Sequence, residues 1–217
     1  MTPDGSFLDN YPTHMTPIGV TVGPDGNIWF VSGANGEIGR LQTAKANRRY
    51  VLDIASGFVP RRREVRLGTV VQWMLEAPGE HGVSDATGLE LFESDVVPSV
   101  ASFSHRFSYE GTFHYDDPPT GDIGRIAVML RAPRSGRVGQ RLTIEWGGGD
   151  EPEGLVFDVQ IKRPGVGTWN GWHTDTSSLN GNFTPGSAGS FRFRARLDEE
   201  SGSDESGWSP PARVRVR

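Results

Sequence analysis

Short runs of alternating apolar and polar residues, each closed by glycine or proline, recur along the whole chain. Ile18, Val20 and Val22 alternate before the turn Gly23-Pro24-Asp25-Gly26, and Ile28-Trp29-Phe30 follows it. Val71 and Trp73 share one strand face, as do Phe113 and Tyr115, with His114 directed the other way. Phe157, Val159 and Ile161 alternate with Asp158, Gln160 and Lys162, and Phe191, Phe193, Ala195 and Leu197 with Arg192, Arg194 and Arg196. A period of two is the pattern of a half-buried strand. No stretch sustains a 3.6-residue period, so the pattern predicts an all-β chain with almost no helix.

Composition sharpens this picture. With 29 glycines and 15 prolines among 217 residues, the runs stay short and the turns frequent. Cysteine is absent, which removes disulfides, thiolate metal ligands and cysteine nucleophiles together. The net charge of −5 argues against bulk nucleic-acid affinity, although arginines cluster locally. No apolar segment approaches membrane-spanning length. No basic and apolar leader follows Met1, which leaves open a cytoplasmic protein, a removed leader or an excerpt of a longer chain.

Residues 1–45 hold one repeat-like unit: a strand over Ile18 to Val22, a turn, a strand over Ile28 to Phe30, a turn over Gly33 to Gly36, and a closing strand over Ile38 to Leu41. The stretch from Pro17 to Leu41 resembles one blade of the streptogramin (virginiamycin B) lyase type of β-propeller. Residues 2–11 resemble the outer strand of a preceding blade. A propeller needs several blades, because each buries its faces against its neighbours. A lone piece of roughly 40 residues is too small to bury its own core. The segment is expected either to pack on the next domain as a small antiparallel sheet or to be the remnant of a longer propeller. The lyases draw their catalytic groups from several blades; His14 alone matches no such set, and no catalytic residue is carried over.

Residues 47–132 carry a second set of motifs. Tyr50 to Ile54 opens a strand, Phe58-Val59-Pro60 follows, and Val65, Gly68, Val71 and Trp73 stand in a V-x-x-G-x-x-V-x-W spacing. His81-Gly82-Val83, Phe92-Glu93-Ser94, the strand Ser102 to Phe107, and Gly111-Thr112-Phe113-His114-Tyr115 complete the series. Together they resemble a cupredoxin, the plastocyanin-like copper domain. The resemblance implies a Greek-key β-sandwich with two histidines, a cysteine and a methionine holding copper at one end. His81 stands at the first ligand position. The cysteine position falls on Asp117, the second histidine position on Thr120, and the methionine position near Ile123, with one residue fewer in the loop. A blue-copper set requires the thiolate, so the site is expected to be degenerate and to hold neither metal nor cofactor.

Two alternatives remain for that loop end. His81 and Asp117, with His114 or Asp116, could offer oxygen and nitrogen donors to another metal. Otherwise His81 is a hydrogen-bonded polar residue, and Asp116-Asp117-Pro118-Pro119 is a rigid turn whose aspartates satisfy loop amides. The second is the reading adopted. His105, between Phe103 and Phe107 at period two, is expected to be a satisfied structural histidine. Arg61, Arg62, Arg63 and Arg66 are expected to form a solvated face.

After a short linker over 132–136, residues 133–217 carry strands at Arg141 to Trp146, Val156 to Lys162, Ser190 to Leu197 and Val214 to Val216, with a Ser206-Gly207-Trp208-Ser209-Pro210 box. These features resemble a fibronectin type III domain, which implies a second β-sandwich. Phe191 stands where that family usually has tyrosine. Arg192, Arg194 and Arg196 form one outward comb, and Arg213 and Arg215 a second beside it. Like charges on neighbouring strands repel, and Trp208 is placed to stack between the guanidinium planes. Trp172 and Trp169 are expected to extend that stack. The alternative is that this face binds a polyanion or carbohydrate.

No nucleophile–base pair, zinc signature or phosphate-cradling glycine loop is assembled anywhere. The chain is therefore expected to be all-β, non-catalytic and extracellular or surface-associated. Its partner is expected to be a protein or surface polymer, with self-association through the N-terminal segment, no nucleic acid and no membrane span. The alternatives are a metal-binding or redox cupredoxin using His81 with carboxylates, and a fragment of a lyase-like propeller enzyme.

Overall fold

The computed structural model describes residues 17–22, 28–32, 38–41, 49–54, 57–98, 101–149 and 153–217. The blade-like strand read at 2–11, and His14, lie outside them. The described elements are all strands. The chain divides into two compact units, Met1–Asn47 and Arg48–Arg217. No described helix is long and apolar enough to cross a membrane.

In the first unit β1 (Pro17–Val22), β2 (Ile28–Ser32) and β3 (Ile38–Leu41) form an antiparallel meander in that order. Val20 lies opposite Phe30, and Val31 opposite Ile38, so the two pairs occupy opposite faces. Both faces carry apolar side chains, although Thr21 and Arg40 share the second one, and Ile18, Val20 and Ile38 are 73%, 67% and 70% exposed.

The second unit opens with a sandwich of two four-stranded sheets. One has β4 (Arg49–Ile54), β5 (Phe58–Val59), β7 (Thr69–Leu75) and β9 (Ala101–Phe107) in the order β5-β4-β7-β9. The other has β6 (Arg62–Arg66), β8 (Ser84–Asp85), β10 (Gly111–Asp117) and β11 (Asp122–Met129) in the order β6-β11-β10-β8. Each sheet contains one parallel pair, β4 with β7 and β6 with β11, so the chain crosses between sheets as a Greek key does. The core is aromatic. Trp73 is fully buried, its ring 5.3 Å from Tyr115, 5.6 Å from Phe103 and 5.7 Å from Phe92. Tyr115 faces Gly124 across the β10–β11 register, and a Cβ at 124 would overlap the phenol ring. Any larger residue there would push Tyr115 out of the core.

The second sandwich sets a five-stranded sheet against the pair β13 (Leu142–Glu145) and β16 (Asn180–Phe183). The large sheet has β12 (Ser135–Gly136), β14 (Leu155–Lys162), β15 (Asn170–Thr176), β17 (Gly189–Glu199) and β18 (Ala212–Val216). Its order is β12-β18-β17-β14-β15. Trp146, Phe157, Phe193 and Ile161 are fully buried between the sheets.

The segment expected to be a linker is not a tether. Arg131 and Glu145 exchange backbone hydrogen bonds at 2.8 Å, and Ser135–Gly136 is β12, paired parallel to β18. The glycines after Trp146 extend the junction, Gly148 N–H donating to the Ser108 carbonyl at 2.8 Å. The two sandwiches thus share a hydrogen-bonded seam within one compact unit.

Candidate functional site

The loop end of the first sandwich is built by three segments: the turn before β8, the end of β10, and the turn from Asp117 to Asp122. Alternation along β10 buries Phe113, Tyr115 and Asp117 while His114 faces out. Asp117 is fully buried at the last position of that row. Its Oδ2 lies 2.7 Å from His81 Nδ1 and accepts from the Thr120 hydroxyl at 2.8 Å. Its Oδ1 accepts from Gly82 N–H at 2.8 Å. The Asp117 carbonyl accepts from Gly121 N–H at 2.7 Å, which tightens the turn. A carboxylate can only accept, so His81 carries its proton on Nδ1 and donates it. The backbone of His81 is itself held, exchanging hydrogen bonds with Val97 at 3.0 and 2.9 Å.

Four positions are expected from the sequence to mark a degenerate metal site. Of the four, His81, Asp117 and Thr120 come together in a clasp. Ile123 does not: it pairs with Asp116 on the outer side of β11 and is 64% exposed. Strand alternation, which turns Gly124 inward to Tyr115, necessarily turns Ile123 out, and this corrects its placement near the site. The donors present do not fit copper. Among the described residues one imidazole stands at this end, its Nδ1 is committed to Asp117, and no second imidazole faces it; the chain has no cysteine to supply a thiolate. His81 Nε2 is buried without a partner, a single donor. Among the described residues no group of three histidine, aspartate or glutamate side chains could hold a metal. His105 lies between Phe92 and Phe107, ring centroids 4.7 and 4.9 Å away.

The arginine–aromatic face lies on β17 of the second sandwich. Arg194 sits between two indoles, its guanidinium carbon 4.5 Å from the Trp169 ring and 4.5 Å from the Trp208 ring. Arg196 covers the other part of Trp208 at 5.0 Å. Both guanidiniums are also hydrogen-bonded. Arg194 donates twice to Gln160 Oε1, and Arg196 reaches Asp158, Asp198 and Glu205. Burial, and then the charge of Arg196, draw Arg194 below the usual arginine pKa. The box around Trp208 is fixed to β17 by its serines. The hydroxyls of Ser206 and Ser209 accept from Leu197 and Ala195 N–H, while their own N–H groups donate to the same two residues' carbonyls.

Three members of the expected face lie elsewhere. Trp172 is in the core, its ring 5.1 Å from Phe193 and 5.8 Å from Trp146. Residues 169 and 172 are an odd number apart on an extended segment, so their side chains take opposite faces. Arg213 and Arg215 pair with Arg192 and Ser190, too far along β17 to reach Trp208. Arg192 likewise has no aromatic partner among the described residues. Arg194 and Arg196 are thus held both by the indoles and by hydrogen bonds to neighbouring side chains. Trp208→Ala is expected to cost about 1–2 kcal/mol, the two lost cation–π contacts, read as a lower urea midpoint with an unchanged slope.

Glu110 was not singled out by its sequence. It lies where the two sandwiches meet, its N–H donating to the Trp146 carbonyl at 3.0 Å, and it is fully buried. Next to it Thr112 exchanges backbone bonds with Gly207, and its hydroxyl donates to the Trp208 carbonyl at 2.8 Å.

No family model and no curated protein matches the chain. Solved structures do. A purple cupredoxin from Nitrosopumilus maritimus is 22% identical over 36% of this chain and 98% of its own, with a TM-score of 0.35. A copper(I) form of an amicyanin variant is 22% identical over 39% of this chain and 85% of its own, with a TM-score of 0.36. The FN1–FN3 domains of chicken CNTN1 are 13% identical over 64% of this chain and 57% of their own, with a TM-score of 0.31. The chain itself is all-β and built on β-sandwiches, as its sheets show.

Proposed function

We propose that this chain is a non-catalytic binding or assembly protein, extracellular or surface-associated, whose sandwiches present surfaces and not a reaction centre. The clasp carries the reading: His81, Asp117 and Thr120, three of the four positions that a cupredoxin-like loop end would use for copper, are spent on one another. Asp117 satisfies an imidazole, a hydroxyl and a backbone amide at once, which is the work of a structural turn. The hydrogen-bonded, indole-stacked arginines and the seam between the sandwiches add stiffness suited to holding surfaces in fixed relation.

Copper(II) titration with metal analysis of the purified protein tests this. The expected result is no stoichiometric, tight uptake. Stoichiometric binding that disappears in His81→Ala, with the variant still folded by circular dichroism, would establish the metal-binding reading instead.

A further inference from the structure

One end of the outer face of the five-stranded sheet carries cations with no carboxylate opposite them among the described residues. Lys162 lies opposite Arg192, and Arg192 opposite Arg213, so the three stand in one row across β14, β17 and β18. Arg215, opposite Ser190, lies beside the row on the same face. The alternate residues Ile161, Phe191, Phe193 and Val214 are buried in the core, while Arg192, Arg213 and Arg215 are exposed. Adjacent strands lie ~4.8 Å apart, so the row spans about 10 Å.

Like charges placed directly opposite one another destabilise a sheet. Neighbouring rows of the same face avoid this, Gln160 standing opposite Arg194 and Asp158 opposite Arg196. Asp158, Asp198 and Glu205 are all gathered on Arg196. Among the described residues, none of the four cations has an ion pair; Arg213 Nε donates to the Ser190 hydroxyl at 2.7 Å. An uncompensated row on rigid, paired strands costs the fold stability and preforms a site for repeated negative charge.

We propose that the Lys162–Arg192–Arg213 row, with Arg215 beside it, binds an anionic polysaccharide through its carboxylate or sulfate groups. The inference rests on the non-catalytic binding reading and names the partner's class. Guanidinium forks match the paired oxygens of such groups bidentately, and three of the four cations are arginines. Trp169 precedes Asn170, which pairs with Ile161, so it continues the row beyond Lys162. Its indole is only partly covered there and offers apolar surface to a sugar ring. The acids around Arg196 confine an anionic chain to this end of the face.

The test titrates the full chain with dextran sulfate and polygalacturonate by calorimetry at two salt concentrations, with neutral dextran and poly(dT) as comparators. Saturable binding of the acidic glycans, weaker binding of poly(dT) and none of dextran are expected. The double variant R192Q/R213Q is expected to lose about tenfold or more in affinity, and the salt slope to fall by roughly one per cation removed. Its melting temperature should hold or rise, because repulsion is relieved. Lys162→Gln provides a milder second variant, and Arg66→Gln, exposed on β6 of the first sandwich, should bind as the parent does. The surface assignment is overturned if the parent protein ignores both acidic glycans, if Lys162→Gln and the double variant bind undiminished, or if poly(dT) binds more tightly. None of those results touches the copper titration, which fails only on His81-dependent metal uptake, so the two readings fall separately.

Discussion

Glu110→Met is expected to raise the stability of the protein by about 2 kcal/mol even at pH 4, the cost of a buried polar group left without a partner, and by more at pH 8. Both carboxyl oxygens of Glu110 are buried with no hydrogen-bond partner among the described residues. Burial holds the carboxyl well above its ordinary value of 4.5, and the nearby N–H of its own backbone, which is committed to the Trp146 carbonyl, opposes this only partly. The sign follows from the protons bound. The unfolded chain releases the Glu110 proton near pH 4.5 while the folded chain retains it. Stability is thus fully present below that pH and falls, by about 1.4 kcal/mol per pH unit, as pH rises toward the folded value. Glu110→Gln should remove the slope and keep part of the polar burial; Glu110→Met should remove both. His105 works in the opposite direction. Burial pulls its imidazole down to about 4, against the raising charge of Asp85. Stability from His105 is present above about pH 6.5 and is lost as pH falls toward about 4. In the parent protein the two slopes oppose one another between pH 4.5 and 6.5. Urea denaturation across pH 4–8 should therefore show Glu110→Gln gaining stability with pH where the parent is flatter. Parallel curves for the two would mean that Glu110 is not buried as a neutral acid.

The all-β class was legible because alternation is a local property, visible wherever a strand has one buried face. Trp73, Trp146 and the rows through Phe157 and Phe191 are core for that reason. Asp117 and Thr120 could be placed near His81 only through the cupredoxin resemblance, since 36 residues separate the imidazole from the carboxylate. That they would bond directly is a matter of loop geometry. Glu110 and Thr112 were misleading in a different way. Alternation puts both on the outer face of their strand segment, the side that reads as solvent, and only the second sandwich, folded over that face, buries them. A seam between two modules leaves no periodic trace in either one. The Trp172 placement was recoverable: the odd spacing from Trp169 already forbade one shared ladder.

Asp117→Ala is expected to be the most damaging single change, costing about 3–5 kcal/mol, the range for breaking a buried, hydrogen-bonded charged group. It removes at one stroke the acceptors of His81 Nδ1–H, Gly82 N–H and the Thr120 hydroxyl. Two of those donors, on His81 and Gly82, are buried and cannot turn to water. Asp117→Asn should cost less, about 1–3 kcal/mol. Its carbonyl can still accept from one side, but its amide N–H₂ then meets a donor on the other. Once the carboxylate is gone, His81→Ala removes a side chain that has already lost its partner. The double variant is therefore expected to be less damaged than the two single losses added together, a coupling of about 1–3 kcal/mol. Denaturant unfolding of the two singles and the double measures it. Additive losses would mean that the imidazole and the carboxylate are neighbours without being partners, and the loop end would then owe its shape to the Val97 and Gly121 backbone bonds alone.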